Sequence, residues 1–521
     1  MLKKFNAIFS FLERERLNFL EIFLLVILLA AIRMWVEADL YNYPYEKLYY
    51  GFIFAHFHII SYYVCVFLGG VVILKFFTKE KLSKIANLSS IGFLIVLFPP
   101  LIDYFIFNVK VYSYIPREFF LDVLLFNHYK LVKTIGGWGL LFELYIIIIA
   151  ISFYIYYKTK SLYRVLLGFF TMYFFVIIIG TPSLNPLLYA WKDTPFSQPV
   201  LLLRYLILSS IFFVFLIKMG GKEMFKSFTK SSAPFRTLHL IIMILIGILV
   251  ANNIHIDLSN IQKDENAAGL GVIGIALFLI TFLWEYTVWI NNIYDVEIDR
   301  ISHKDRILVK GMLNIDVAKQ IAVIFAIVSI GLAALLGIIP FILSIIAIFL
   351  GTIYSMPPFR LRNSVVSSAF VGMGSAIAFF IGYFSPSLKL IVIEHFYGIG
   401  RNIVSLNYNA LIVAILILIA FSIGPLLRDL KDYEGDKKAG VKNIFTICGK
   451  RKGIKITSIL LFLSFISPLL LFRSLLDIIM FVITGIISSA YLIKFEKAKF
   501  IFILYSIILL YCIFKWILIF C

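Results

Sequence analysis

Cysteine and charged residues are both scarce in this chain. Only four of its 521 residues are cysteine, Cys65, Cys448, Cys512 and Cys521, and charged residues make up 15%. The cysteines have no paired or metal-ligand spacing, which excludes a disulfide framework. Acidic residues are the scarcer charge, 29 against 48 basic residues, and the formal net charge is +19. The basic residues lie in short runs between apolar segments, as in the loops of membrane proteins, so we do not expect nucleic acid as a partner.

Apolar residues dominate the remaining sequence, at 62% of the chain with a mean hydropathy of +0.98. This is more apolar surface than a soluble core can bury, so the sequence predicts an all-α polytopic membrane protein. The first apolar run, Leu20 to Trp35, has no small-residue cleavage site after it, and we interpret it as a retained anchor. We predict about fifteen membrane-spanning helices, near residues 19–36, 51–74, 86–107, 138–157, 163–181, 200–218, 236–252, 268–292, 315–337, 339–354, 365–385, 409–427, 455–473, 474–493 and 499–519.

The distribution of basic residues predicts the orientation of these helices. When the spans alternate in direction, the basic N-terminus and three basic loops fall on one side of the membrane, and the other side is acidic or nearly neutral. By the positive-inside rule the basic side is cytoplasmic. We therefore expect a multi-pass protein of the cell membrane with its N-terminus in the cytoplasm and its C-terminus outside. The basic loops are Lys75–Lys84, Lys158–Arg164 and Lys218–Arg236.

The segment Lys218–Arg236, "KMGGKEMFKSFTKSSAPFR", is the best domain boundary in the sequence. It separates a six-helix unit, residues 1–225, from a nine-helix unit, residues 228–521, and no repeat relates the two. In the second unit, three polar segments are predicted on the cytoplasmic face: Asp299–Asp316, Tyr354–Asn363 and Arg428–Lys455. We expect the chemistry of the protein to lie in or beside these segments.

Two groups of acidic residues have helical spacing. Asn291, Asp295 and Asp299 recur every four residues, which returns each side chain to within about 40° of the same helix face. Glu297 is two residues from each aspartate, about 200° around the helix, and is expected to face elsewhere. A second group, Asp429, Asp432 and Asp436, has spacings of three and four. Carboxylates placed this close repel one another unless a hard cation lies between them. Oxygen ligands with one or two carboxylates per ion suit Mg²⁺ that is shared with a phosphorylated substrate.

Many basic residues surround these carboxylates, and arginine binds phosphate oxygens in a bidentate way. For any single lysine, a role in orienting helices is the more common explanation. We expect a phosphate-binding role for Arg306, Arg360 and Arg428, which lie close to the aspartates or to helix ends. The full set is Arg300, Lys304, Arg306, Lys310, Arg360, Arg362, Arg428, Lys431, Lys437 and Lys438.

These motifs resemble those of the UbiA superfamily of intramembrane prenyltransferases, over residues 228 to 521. "NNIYDVEID" is similar to the family's N-D-x-x-D-x-x-x-D, with Asn292 where the family usually has Asp. "DRISHKDRILVKG" resembles its continuation, with Ile307 replacing Pro, and "YSMPPFRLRN" resembles its Y-S-x-P-x-R-L-K loop. "DLKDYEGDKKAGVKNIFTICG" resembles the second motif, with Asn443 to Phe445 replacing T-L-P. The first unit resembles no family that we recognise.

The resemblance implies a Mg²⁺-dependent transfer of a polyprenyl group from an allylic polyprenyl diphosphate, with two metal ions. The implied metal ligands are Asn291, Asp295, Asp299, Asp429, Asp432 and Asp436. The implied diphosphate-binding residues are Arg300, Arg306, Arg360, Arg428 and Lys431. The implied catalytic residues are Asn291, Asp295, Asp299, Asp432, Asp436 and Tyr354.

The resemblance leaves the acceptor open between a lipid, such as an isoprenoid glycerol phosphate, and an aromatic quinone precursor. The prenyl carbon that becomes positive needs a dry pocket with aromatic faces. The candidate residues for that pocket are Tyr286, Trp289, Tyr294 and Tyr354, although each alone is more often an interfacial aromatic. Asn292 is expected to position either the acceptor or a ligating carboxylate.

Other classes of protein also place carboxylates in membranes. A CDP-alcohol-type phosphotransferase would contain a compact D-G-x-x-A-R run, which is absent. A cation transporter would place carboxylates near the midplane of broken helices, whereas these lie at helix ends beside arginines. A glycosyltransferase using a polyprenyl-phosphate sugar would have them in an outward loop. In the first unit, Asp103 and Glu143 are intramembrane carboxylates that could be functional, while His56 and His58 point to different helix faces and make a poor metal pair.

Overall fold

The computed structural model describes residues 9–40, 51–110, 115, 117–135, 137–184, 197–232, 234–251, 264–385 and 406–520. Within these ranges every regular element is a helix and no strand occurs, which confirms the predicted all-α fold. Helices satisfy their backbone N–H and C=O groups internally, as a lipid environment requires. By length and composition, 14 helices could span a membrane, or up to 15 if one bent helix pair forms a single span. The prediction of about fifteen spans agrees with this.

Among the described residues, six candidate spans precede residue 222, which agrees with the prediction. Their helices are α1 (Phe19–Leu40), α2 (Gly51–Thr78), α3 (Leu82–Gly92), α4 (Trp138–Thr159), α5 (Leu162–Gly180) and α6 (Ser197–Met219). The third span continues beyond α3 to Ile106 and is irregular. It passes through a 3-10 turn, a short α-helical turn with Pro99 and Pro100, and a π-helical turn over Ile102–Ile106. Because proline lacks the N–H that a regular helix needs, the backbone changes form here.

The intramembrane carboxylates of the first unit have partners within that unit. Arg33 Nη1 lies 3.3 Å from Glu143 Oε2, and Arg33 Nε lies 3.5 Å from Glu37 Oε2. Asp103 Oδ1 accepts a hydrogen bond from the Gly139 amide at 2.7 Å. Charged groups buried in a membrane require such pairing. Structural pairing therefore accounts for Asp103 and Glu143, and the side chain of His56 lies outside the described residues.

The predicted boundary segment, expected to be a basic loop, contains a helix, α7 (Lys222–Ser232). Its buried residues are serines, Ser227, Ser231 and Ser232. Met224 and Phe228 pack against the apolar cluster around Trp289 in the second unit. The helix bends by 48° into the next helix. Lys222–Ser232 is therefore an amphipathic helix that covers part of the second unit.

Among the described residues the second unit has nine longer helices, in the predicted order, and two short ones, Val296–Ser302 and Ile444–Cys448. Their bounds are α8 (Thr237–Ala251), α9 (Asp264–Tyr294), α10 (Val296–Ser302), α11 (Ile315–Leu336), α12 (Ile338–Ser355), α13 (Ser367–Phe384), α14 (Tyr408–Ala439), α15 (Lys450–Ile466), α16 (Leu475–Phe495) and α17 (Lys499–Phe520). The span predicted near 409–427 lies within α14, which runs on to Ala439, as the helical spacing of Asp429, Asp432 and Asp436 predicts. The second acidic motif therefore lies on a helix that projects beyond its apolar part.

Small residues bring the helices of the second unit close together. Gly247 of α8 lies against the backbone of Phe379 and Gly382 in α13, and Gly382 lies against the backbone of Ile244. A Cβ atom at either glycine would collide with backbone atoms that cannot move aside. Without a hydrophobic driving force between helices in lipid, this close contact supplies the packing energy.

The two units also pack directly against each other. Gly271 of α9 lies against Pro199 of α6, and Gly274 lies against Leu203 of the same helix. Leu202 of α6 is fully buried within the hydrophobic cluster of the second unit. Helix α6 of the first unit therefore packs against α9. Helix α9 leads into the first acidic motif.

Candidate active site

Helices α9 and α10 meet at Asp295 without losing their helical phase. The Asp295 amide donates to the Asn291 carbonyl at 3.0 Å, and the Asp299 amide donates to the Asp295 carbonyl at 2.8 Å. Asn291, Asp295 and Asp299 therefore share one face, and the two aspartates are only 2% and 4% exposed. Glu297 lies on the opposite face, where its side chain is 78% exposed and pairs with Arg300 at 2.9 Å. Residue spacing predicted this division between buried and exposed carboxylates.

Two arginines from the loop after α12 contact the first of these aspartates. Arg360 Nη2 lies 3.0 Å from Asp295 Oδ1, and Arg362 forms an ion pair with Asp295 Oδ2. Arg362 also donates to Asn291 Oδ1 at 3.3 Å. Arg360 has a left-handed backbone, with φ 39°, which is uncommon for a residue with a side chain. This turn brings both guanidinium groups to the same carboxylate.

Asp299 has a separate set of partners from the loop that follows α10. Arg306 forms an ion pair with Asp299 Oδ2, and His303 Nδ1 lies 3.3 Å from Asp299 Oδ1. The Arg306 side chain is largely buried, at 17% exposed, whereas His303 is 55% exposed. The two buried carboxylates of the first motif are thus each bound by guanidinium groups.

The second acidic motif approaches the same region from α14. Arg428 Nη2 lies 4.0 Å from Asp429 Oδ1, and the Asp429 side chain is 14% exposed. The Tyr354 hydroxyl interacts with Arg428 and lies near Asp429. After α14, the Lys442 amide donates to the Asn363 carbonyl at 3.1 Å, which joins this part of the chain to the arginine loop. The three predicted polar segments therefore converge.

Asp432 and Asp436 lie on α14 by their backbone, but their side chains are outside the described residues. Their predicted roles therefore remain predictions. Lys431 is exposed, and Arg300 is exposed and paired with Glu297 on the outer face. These two cations point away from the buried carboxylates, because Arg300 is one residue after Asp299 and Lys431 is two residues after Asp429, about 100° and about 200° around the helix.

Arg236 is a residue of this region that the sequence interpretation treated only as part of a linker. Burial and the guanidinium groups of Arg428 and Arg306 lower the pKa of Arg236 below its usual value. Arg236 has no carboxylate partner among the ion pairs of the described residues. Like charges gathered in this way favour an anion between them. No motif marks Arg236, since it lies in the turn between α7 and α8 and reaches the site only through the fold.

The predicted aromatic residues lie in different environments. Tyr286 OH is hydrogen-bonded to Thr352 Oγ1 at 2.7 Å, which links α9 to α12. Trp289 is fully buried and its ring lies 5.3 Å from that of Phe228 in α7. Trp289 therefore packs against the linker helix. The Tyr294 carbonyl accepts a hydrogen bond from Arg360 at 3.3 Å, and the Tyr354 side chain contacts Arg428.

The chemistry of the donor set fits a divalent cation that is completed by phosphate oxygens. One amide and two carboxylates lie along one helix face, from Asn291, Asp295 and Asp299. Asp429 of the second motif lies near Tyr354. Among the described side chains, no three His, Cys, Asp or Glu groups could hold a metal by themselves. Mg²⁺ commonly takes one or two carboxylates and completes its octahedral shell with water and substrate phosphate.

The fold and this site define a polytopic helical membrane protein with buried aspartates and converging arginines. A family model of the UbiA prenyltransferase family matches residues 240–501. The chain belongs to the UbiA prenyltransferase family, as the motifs predicted. The match covers the helices that surround the site and most of the second unit. Residues 1–239, which include the first unit and α7, precede it.

Individual relatives are distant. A probable homogentisate phytyltransferase 2 of Oryza sativa subsp. japonica is 31% identical over 173 residues, which are 32% of this chain and 42% of the relative. A digeranylgeranylglyceryl phosphate synthase of Sulfolobus acidocaldarius is 26% identical over 225 residues, 40% of this chain and 75% of the relative. The chain spans less than half the length of the plant relatives that it matches.

Two solved structures resemble the chain. One, from a study of digeranylgeranylglyceryl phosphate synthase in membranes, is 22% identical, covers 55% of this chain and 96% of its own, and has a TM-score of 0.42. The other is a UbiA homologue from Archaeoglobus fulgidus bound to DMAPP and Mg²⁺. It is 19% identical, covers 51% of this chain and 86% of its own, and has a TM-score of 0.36.

Proposed function

We propose that this protein is a Mg²⁺-dependent membrane prenyltransferase. It transfers a polyprenyl group from an allylic polyprenyl diphosphate to an amphiphilic acceptor. The observation that carries the proposal is the contact of two buried aspartates with arginines from two separate loops, in a chain of the UbiA prenyltransferase family. Such an arrangement suits a diphosphate, because guanidinium groups bind its oxygens in a bidentate way.

The balance of charge supports an anionic substrate. Among the described side chains, the site contains five guanidinium groups, Arg236, Arg306, Arg360, Arg362 and Arg428. Their carboxylate partners are three, Asp295, Asp299 and Asp429. Arg236, which has no carboxylate partner among the ion pairs of the described residues, would bind an anion such as a diphosphate, and a cluster of guanidinium groups would repel a free cation, which argues against the cation-transporter alternative.

The chain's own residues would act mainly by binding and orientation. Asn291, Asp295, Asp299 and the aspartates of the second motif would hold two Mg²⁺ ions, and the arginines would bind the diphosphate and stabilise it as it leaves. When bound, the cation supplies positive charge that offsets the growing charge on the departing pyrophosphate. The membrane-embedded helices would exclude water from the allylic carbon as its C–O bond breaks. Tyr354 would place an aromatic face near that carbon.

Relatives with different acceptors support two acceptor classes. Three digeranylgeranylglyceryl phosphate synthases are covered over 75%, 70% and 58% of their length, and two homogentisate phytyltransferases over 42% and 54%. We therefore consider an isoprenoid glycerol phosphate a better candidate acceptor than an aromatic compound.

The test is prenyl transfer by the full-length protein in lipid nanodiscs. Radiolabelled geranylgeranyl diphosphate and Mg²⁺ would be supplied with either an isoprenoid glycerol phosphate or homogentisate.

The proposed reaction fails if neither acceptor is prenylated and the donor does not bind in the presence of Mg²⁺. Product from homogentisate alone would overturn the preferred acceptor and leave the reaction class intact. Asp295→Asn is the matched negative control, since the variant should bind detergent and lipid like the natural protein. Omission of Mg²⁺ by chelation should abolish transfer in every case.

We also propose that both acidic motifs lie on the cytoplasmic side of the cell membrane. Cys448 follows the second motif and is exposed, whereas Cys65 is buried, so the chain supplies a native reporter. In cells with Cys512→Ser and Cys521→Ser, a maleimide that cannot cross membranes should label Cys448 only after the membrane is opened. Labelling of Cys448 in intact cells would reverse the orientation.

A further inference from the structure

Helix α7 is hydrogen-bonded directly to the first acidic motif. The Ser231 carbonyl accepts a hydrogen bond from Asn292 Nδ2 at 3.0 Å. The Ser231 hydroxyl accepts one from the Ile307 amide at 3.0 Å and donates to the Ser227 carbonyl at 2.9 Å. Ser231, Asn292 and Ile307 are 2%, 3% and 0% exposed. One buried serine thus connects α7 to both α9 and the loop after α10.

The Ile307 amide matters because Ile307 follows Arg306 directly. The loop turns back on itself at this point: the Arg306 amide donates to the His303 carbonyl at 3.1 Å, and the Lys310 amide donates to the Arg306 carbonyl at 3.0 Å. A buried amide without a partner is costly. The Ser231 hydroxyl therefore fixes the position of this loop, and with it the guanidinium group that pairs with Asp299.

The remaining contacts of α7 join it to the first unit on one side and to the site on the other. The Phe228 ring lies 5.3 Å from Trp289 of α9 and 5.9 Å from Phe213 of α6. At the exposed edge, Lys230 pairs with Asp305, and the Lys230 ammonium holds the pKa of Asp305 below its usual value. Exposed ion pairs of this kind contribute little. The buried serine contacts are therefore the ones that set the loop position.

We propose that Ser231 is a positioning residue for diphosphate binding, and that it acts through Arg306. The inference rests on the proposed function, since it assigns the diphosphate to this site. It also gives a physical reason for Asn292, where the family usually has Asp. The Asn292 amide nitrogen donates to a carbonyl oxygen, which an ionised carboxylate cannot do. Helix α7, and through it α6, thereby becomes part of the donor site.

The chain offers matched variants for testing this role. Ser231→Ala removes the acceptor for the Ile307 amide, whereas Ser231→Thr keeps a hydroxyl. Ser227→Ala removes another fully buried hydroxyl on the same helix, but its Oγ has no hydrogen-bond partner among the described residues. The Ser227 carbonyl, which receives the Ser231 hydroxyl, is unchanged by that substitution.

The measurement is binding of inorganic pyrophosphate and of geranyl diphosphate to the full-length protein in nanodiscs, with Mg²⁺, by calorimetry. We expect Ser231→Ala to raise both dissociation constants about tenfold, since one buried hydrogen bond is lost. Ser231→Thr and Ser227→Ala should each stay within about threefold of the natural protein. Unchanged dissociation constants in Ser231→Ala, with only a lower melting temperature, would reduce Ser231 to a packing residue and overturn the proposal.

A double-mutant cycle with Arg306→Lys tests whether Ser231 acts through the arginine. If it does, adding Ser231→Ala to Arg306→Lys should change pyrophosphate binding by less than about twofold, well short of its effect alone. Additive effects would mean that Ser231 acts by another route, against the proposal.

Asn292→Asp provides a second test that does not depend on the folding of Ser231→Ala. We expect it to weaken binding, and tighter binding would contradict the role given to Asn292.

The outcome for the natural protein separates this inference from the proposed function. If the natural protein binds neither pyrophosphate nor geranyl diphosphate with Mg²⁺, the donor assignment itself fails. If it binds both and Ser231→Ala binds equally well, the donor site stands and only the positioning role is lost.

Discussion

Replacing Asp295 by asparagine, with Glu297→Gln as its control, tests the first acidic motif most directly. The two carboxylates are two residues apart, and both substitutions remove one negative charge from the same segment. Asp295 is 2% exposed and contacts Arg360 and Arg362, whereas the Glu297 side chain is 78% exposed and contacts Arg300 alone. Only the first substitution should therefore affect the site.

The expected magnitudes follow from these environments. Breaking a fully buried ion pair costs about 3–5 kcal/mol, and the two arginines that contact Asp295 are 27% and 29% exposed. Solvent screening at the arginines reduces the expected loss of stability to about 1–3 kcal/mol for Asp295→Asn. The turnover rate should fall by about two orders of magnitude or more, equivalent to about 3 kcal/mol of barrier. Glu297→Gln should cost less than about tenfold in rate and almost nothing in stability.

The assay is turnover of a radiolabelled polyprenyl diphosphate in nanodiscs across a Mg²⁺ titration, with the melting temperature of each variant measured in parallel. High Mg²⁺ should partly restore Asp295→Asn and leave Glu297→Gln unchanged. Equal losses of turnover in the two variants would refute the assignment, because they would mean a general effect of charge on folding. Asp299→Asn should behave like Asp295→Asn, since it too is buried against an arginine.

Three other outcomes are expected. Arg236→Gln should raise the KM for the polyprenyl diphosphate about tenfold, because one of three neighbouring guanidinium groups is lost, whereas Lys226→Gln on the exposed side of α7 should leave it unchanged. Gly382→Ala should lower the unfolding free energy by about 2 kcal/mol or more, measured by thermal unfolding, because its Cβ would meet the Ile244 backbone. The control is Gly374→Ala, in open space on the same helix, which should be neutral or stabilising in the same measurement. Chelation of divalent cations should abolish prenyl transfer and added Mg²⁺ should restore it; transfer that survives chelation would contradict the proposed metal dependence.

Features of the fold that depend on local sequence were the ones that the sequence predicted. The membrane spans follow from the length of apolar runs, and helical periodicity placed Asp295 and Asp299 on one face and Glu297 on another. The spacing of Asp429, Asp432 and Asp436 predicted that α14 continues beyond its apolar part, and the helix runs through these residues to Ala439. Hydropathy marks where a helix leaves lipid, and that point differs from where the helix ends.

Contacts between distant segments could not be read from the sequence. The pairing of Arg362 with Asp295, and the approach of Arg236 to Arg306 and Arg428, depend on how the loops and α7 meet in the fold. Nothing in the local sequence distinguishes Arg236 from basic residues that orient helices. Helix α7 itself has a polar composition typical of a linker, and its buried serines contribute no hydropathy signal.

The glycine contacts between α6 and α9 have a consequence for biosynthesis. During translation α6 enters the membrane before α9, since it precedes it in the chain, and domains form from the N-terminus onward. Gly271 and Gly274 fit against Pro199 and Leu203 of α6. The first unit therefore provides a surface on which α9 can dock as it is inserted, before the arginines that neutralise Asp295 have been synthesised. In this order of assembly, α6 is already in place when the helix that leads into the acidic motif is inserted.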